Sequence, residues 1–171
     1  MRNVVLAAAV AGFVAVAPAA AQVVKPAART AEARRSRSRE VFVAVLSGAY
    51  AVPAVETRAT GTAELTLVGS RLQYRVDVGS IGDVTGVYVH VGGAGEETPA
   101  VADLFEGVRT GPVSGVLASG MLQPAHLHGI TTRQLIRALC SDDAYVTVHT
   151  LTHPGGELRG QLRLQPLVAS R

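Results

Sequence analysis

The sequence predicts an all-β protein, an antiparallel β-sandwich of Greek-key, immunoglobulin-like type with one short helix. Three observations carry this reading. Apolar and polar residues alternate with period two in several short segments, as they must where one face of a strand is buried and the other is wet. Clusters of glycine, proline and serine separate those segments at the spacing of tight turns. A single stretch, Thr131 to Cys140, has helical periodicity instead.

The chain opens with the features of a secretory signal peptide. Arg2 supplies the positive start, Val4 to Val16 are apolar, and Pro18-Ala19-Ala20-Ala21 precede Gln22 as a small-residue cleavage site. The apolar run is shorter than the ~20 residues of a spanning helix, so residues 1–21 are read as a removable signal rather than an anchor. The sole cysteine, Cys140, lies far from this segment, which excludes a lipidated N-terminus. Cleavage leaves a secreted or periplasmic protein with no transmembrane segment.

Residues 22–39 read as a basic, disordered linker. They hold six basic residues and one acidic residue among alanines and serines, a net of +5, whereas residues 40–171 hold nine basic and twelve acidic, a net of −3. The positive balance of the chain therefore belongs to its leading segments, and nothing in the domain argues for a nucleic-acid partner. The linker has two readings, a solvated spacer and an electrostatic tether to anionic lipid or polymer of the envelope. Residues 40–165 are assigned to one domain and 166–171 to a C-terminal tail.

Within the domain, Val41-Phe42-Val43-Ala44-Val45 begins the strands. Ala63, Leu65 and Leu67 alternate with Thr62, Glu64 and Thr66; Gly69-Ser70 makes a two-residue turn; Leu72, Tyr74, Val76 and Val78 then alternate with Gln73, Arg75 and Asp77. Val87, Val89 and Val91 form a middle strand. The segments Val101 to Phe105 and Val113 to Leu122 add one or two more. Alternation places Leu65, Leu67, Leu72, Tyr74, Val76, Val87, Val89, Val146, Val148, Leu158 and Leu162 inward, repeats the apolar pattern at Leu164, and sets Arg159, Gln161 and Arg163 outside.

Thr131 and Gln134 have the spacing of a capping box, and Leu135, Ile136 and Leu139 share a face, which predicts a helix of two to three turns. Cys140 follows Ile136 by one turn and reads as a small buried apolar residue. One cysteine permits no internal disulfide, so core burial alone stabilises the exported domain.

The last strand pair is the most distinctive stretch. Tyr145-Val-Thr-Val-His149-Thr runs into His153-Pro-Gly-Gly-Glu157, and Leu158-Arg159-Gly160-Gln161-Leu162 comes out. Earlier, Leu46-Ser47-Gly48 precedes Val52-Pro53 and Thr60-Gly61-Thr62, and Val84-Thr85-Gly86-Val87-Tyr88-Val89-His90 forms the middle strand. At these spacings the segments resemble those of the CHRD (chordin-type) domain family over roughly Glu40 to Leu164. Many members of that family carry His-x-His in the middle strand; Tyr88 stands here where the first histidine would be.

Histidine is the residue that can carry chemistry. Tyr88 and His90 share one strand face, and Tyr145, Thr147 and His149 share another. If the two strands are neighbours, His90, His149 and His153 with Tyr88 form a candidate copper or zinc site, since imidazole is a favoured ligand of both metals. The alternative is that these are strand histidines that only hydrogen-bond. His126 and His128 form a second His-x-His in the loop before the helix and read as surface residues. Gly92-Gly93-Ala94-Gly95 follows a strand but precedes no helix, so it is neither a dinucleotide nor a phosphate loop. Glu96, Glu97 and Asp103 lack a calcium-loop register, and Ser47, Ser114 and Ser119 lack a nucleophile elbow.

No catalytic and no cofactor-binding residue is assigned. The leading functional reading is a non-enzymatic binding or interaction module of the cell envelope or extracellular space, whose partner is a protein or an anionic polymer. The other is a histidine-based copper or zinc metalloprotein, with or without redox activity.

Overall fold

A computed structural model describes residues 39–166. The signal segment and the linker up to residue 38 lie outside the described residues, as does most of the C-terminal tail. The strands are β1 (Arg39–Ser47), β2 (Thr60–Val68), β3 (Arg71–Val91), β4 (Ala100–Met121), β5 (Ala144–Thr150), β6 (Leu158–Gln161) and β7 (Arg163–Gln165), and among the described residues there is a single α-helix, α1 (Thr132–Cys140). Every strand pairing is antiparallel.

The class is as predicted, mostly antiparallel β with one helix, but the arrangement differs from an open Greek-key sandwich. β1 pairs with β2, β2 with β3, β3 with β5, β5 with β6, and β6 returns to β1 at Ser47 and Arg159, closing a five-stranded barrel. β4 follows β3 along its length and β7 adds to β1. The cause lies in β3. Its first part, Arg71 to Gly79, pairs with β2, and its last, Val84 to Val91, pairs with β5. Between them Ser80 and Asp83 take left-handed backbone angles, φ 56° and 51°, where the register against β4 also slips. Such bulges bend and twist a strand, and a strand bent this way can serve two neighbours and curl the sheet onto itself. The two weak segments predicted between residues 101 and 122 are one continuous strand, β4.

The Gly69-Ser70 turn forms as predicted, with Val68 opposite Arg71, and the predicted β5–β6 hairpin forms with Val148 opposite Leu158. All the residues assigned inward are buried except Tyr74, which is half-buried against the core. Phe42, Ala44 and Leu46 complete the core from β1, so Val43 and Val45 face out. Full burial of each large apolar side chain contributes about 1.5–3 kcal/mol.

Three of the assigned facings need correction. Leu164 is 49% exposed, whereas Arg159 is only 5% exposed. Cys140 is exposed, because the buried stripe of α1 is centred on Leu135 and Leu139 and the next residue lies about 100° further round. The cap is as predicted: Gln134 N–H donates to Thr131 Oγ1 at 3.3 Å and Thr131 N–H to Gln134 Oε1 at 2.9 Å.

Two motif glycines are explained by close approach rather than by turns. A Cβ on Gly48 would stand 2.3 Å from the Val55 carbonyl oxygen, and one on Gly160 would stand 2.2 Å from that of Val45. Gly160 thus lets β6 lie against β1 where the barrel closes.

Candidate functional site

The β3–β5 pairing makes neighbours of the two histidine-bearing strands. Tyr88 opposes Thr147, His90 opposes Tyr145, and Gly86 opposes His149. The face they share is not wet. His90, Tyr145 and Thr147 are all buried, because the segment linking β3 to β4 folds over them. Thr98 N–H donates to Tyr145 Oη at 3.0 Å, Arg159 Nη2 donates to the Gly93 carbonyl at 2.9 Å, and Gln161 Nε2 donates to the Gly92 carbonyl at 2.9 Å. Tyr145, on the strand between β3 and β6, stacks on both neighbours: the His90 ring lies parallel at 4.6 Å, and the Arg159 guanidinium lies 3.6 Å from its ring centre.

The imidazoles of His90 and His149 do not meet each other directly. His90 Nε2 and His149 Nε2 each lie 2.9 Å from Thr147 Oγ1. His90 Nδ1 lies 2.7 Å from the Thr98 carbonyl, which only accepts, so Nδ1 carries a proton. In the neutral ring Nε2 then accepts, and the single hydroxyl proton of Thr147 goes to His90. His149 must therefore donate from its Nε2. Burial holds both imidazoles below the ordinary histidine value. For His90 the Thr98 and Pro99 carbonyls oppose this and the Arg159 cation adds to it; for His149 the Pro154 carbonyl opposes it and His90 adds to it.

A CHRD domain profile matches residues 42–162. The chain belongs to the CHRD domain family. No curated protein and no solved structure matches the chain.

Of the other candidate ligands in this CHRD domain, Tyr88 sits edge-on to His149 with ring centres 4.8 Å apart. Its ring and hydroxyl fold over Gly86, the residue opposite His149. Burial, then the carboxylates of Asp103 and Glu106, raise its pKa above the usual tyrosine value. His153 belongs to a different cluster. Its Nδ1 is 3.4 Å from Glu157 Oε2, near enough for ion pairing but not aligned as a hydrogen bond. Glu157 also accepts from Thr57 Oγ1 at 2.7 Å and from the fully buried Thr150 at 2.8 Å.

Among the described residues no group of three or more His, Cys, Asp or Glu is arranged to hold a metal. His90 and His149 flank a hydroxyl, their Nε2 atoms separated by at most twice 2.9 Å. Two imidazoles on one zinc ion need nitrogens within about 4.2 Å of each other, from Zn–N bonds of about 2.1 Å. Thr147 would have to swing aside to admit an ion. The second His-x-His is engaged elsewhere. His128 pairs with Asp103, the cross-strand partner of Tyr88, and His126 Nδ1 accepts from Gln123 N–H at 3.3 Å.

Two cavities adjoin the network. The smaller, about 180 Å³, is bounded by His90, Thr147, His149, Gly156 and Arg159. The larger, about 580 Å³, lies against β1, β6 and β7, and Arg159 forms part of both walls. Arg159, Thr147, Tyr145 and Glu157 were not legible as site residues, since alternation marks Arg159 as an outer side chain and gives no sign of the segment that covers it. Among the described residues no helix is long and apolar enough to cross a membrane.

Proposed function

We propose that this CHRD domain is a non-enzymatic binding module of an exported protein, working in the cell envelope or extracellular space. The observation that carries the reading is where polar capacity is spent. His90, Thr147, His149, Tyr145 and Glu157 hydrogen-bond to one another or to nearby backbone and threonines, while a groove of about 580 Å³ beside them is open. Such a groove is of ligand-binding size. The signal-like residues 1–21 and the basic residues 22–39 support export and a tethering role. The test is sedimentation of the purified mature chain with isolated envelope material. Retention is expected, weakening at high salt and on deletion of residues 22–39. Partition indistinguishable from that of an unrelated exported protein of equal size would defeat the proposal.

A second reading is favoured by one feature, the convergence of two imidazole Nε2 atoms on Thr147 Oγ1. Rotation of that hydroxyl would leave both nitrogens facing one point, as a copper or zinc site with His90 and His149 as ligands requires. Here Tyr88 replaces the relatives' histidine, so Tyr88→His should strengthen uptake and His149→Ala abolish it. Equal uptake by wild type and His149→Ala would remove this reading.

A further inference from the structure

Arg159 is buried, yet among the described residues no carboxylate pairs with it; its partners are the Gly93 carbonyl and the face of Tyr145. A buried cation without a counter-ion is costly, and an anion brought alongside recovers much of that cost. Arg159 is one of the residues lining the larger groove. Apolar residues line the same groove, among them Val45 and Tyr50, which are 63% and 59% exposed. The groove's other cation, Arg163, is already paired with Asp142 at 3.0 Å. A cation together with apolar residues, lining a space of about 580 Å³, suits a small ligand with one anionic end.

We propose that this groove binds a carboxylate carried on an apolar body, with the carboxylate on Arg159 and the body along Val43, Val45, Tyr50 and Val52. The inference rests on the binding-module reading and names the ligand class. A planar guanidinium presents paired donors that match a carboxylate, and such charge-assisted bonds are strong where water is excluded.

The test is calorimetric titration of the mature chain with octanoate, with octanamide as a control of equal length and no charge. Saturable octanoate binding is expected, at least tenfold weaker for octanamide. Arg159→Gln should weaken it at least tenfold. Because that substitution disturbs Tyr145, Val45→Glu provides a second variant: it sets a like charge in the groove from an exposed position, and should weaken octanoate at least tenfold with an unchanged melting temperature. No saturable octanoate binding, equal affinity for octanamide, or wild-type affinity in Val45→Glu would each overturn the assignment. Envelope retention that survives such a result would leave the binding-module reading standing, whereas loss of both would end it.

Discussion

The guanidinium of Arg159 lies 3.6 Å from the ring centre of Tyr145, and both side chains are buried. Two strands that alternation marks as having one wet face therefore carry a second packed layer. It is polar, held by Gly92, Gly93 and Thr98 rather than by aliphatic contact.

The barrel core can be separated from its surface by two substitutions. Val89 is fully buried between Ala102 of β4 and Val146 of β5. Val89→Asp places an unpaired charge there and should cost several kcal/mol, comparable with the stability of a whole domain. Arg75 is exposed and hydrogen-bonds Asp77 on its own strand, so Arg75→Asp should keep a cooperative transition. Equal melting temperatures for the two variants would overturn the assigned faces.

The hydroxyl between the imidazoles is a second point of test. Thr147→Val keeps the shape and removes the group that partners both Nε2 atoms, and should cost about 1–3 kcal/mol, while Thr147→Ser should restore most of it. Nitrogen NMR of the wild-type imidazoles should find the neutral proton on Nδ1 of His90 and on Nε2 of His149. The reverse assignment in both rings would contradict the network as described.

Stability should depend on pH through the same pair. In the unfolded chain each histidine protonates near ~6.5; burial holds the folded values lower. The unfolded state therefore binds more protons in that interval, so the stability present above about pH 6.5 is lost as pH falls through the folded values. Melting temperature should be level above about pH 7 and decline below ~6.5, and His149→Gln should flatten the decline. An NMR titration placing both folded imidazoles at or above the unfolded value would reverse the sign.

Digestion should report the boundary of the domain. Limited trypsin treatment is expected to cut at Arg29, Arg34, Arg35 and Arg37 well before Arg75, which lies in a paired strand, or Arg159, which is buried. Protection of the first four would mean that the basic segment packs on the domain.

What could be read from sequence was local. The Gly69-Ser70 turn, the Thr131/Gln134 cap and the inward residues of β2, β3, β5 and β6 follow from spacing within a few residues. Barrel closure depends on Ser80 and Asp83, two non-glycine residues in left-handed conformation, and no periodicity marks such a bulge. The histidines were visible as chemistry on two strands, though not that those strands are neighbours. That Thr147 stands between two of them, and that His153 turns to Glu157 instead, depends on cross-strand register and on hairpin geometry, which alternation does not encode.

The measurement that bears most directly on the central claim is metal analysis of the mature chain, purified without a histidine tag and exposed to copper and zinc before dialysis. A binding module whose imidazoles are committed to Thr147 should retain well under one equivalent of either metal, and His149→Ala should retain the same. One equivalent held by the wild type and lost in His149→Ala would contradict that account and make this CHRD domain a metalloprotein.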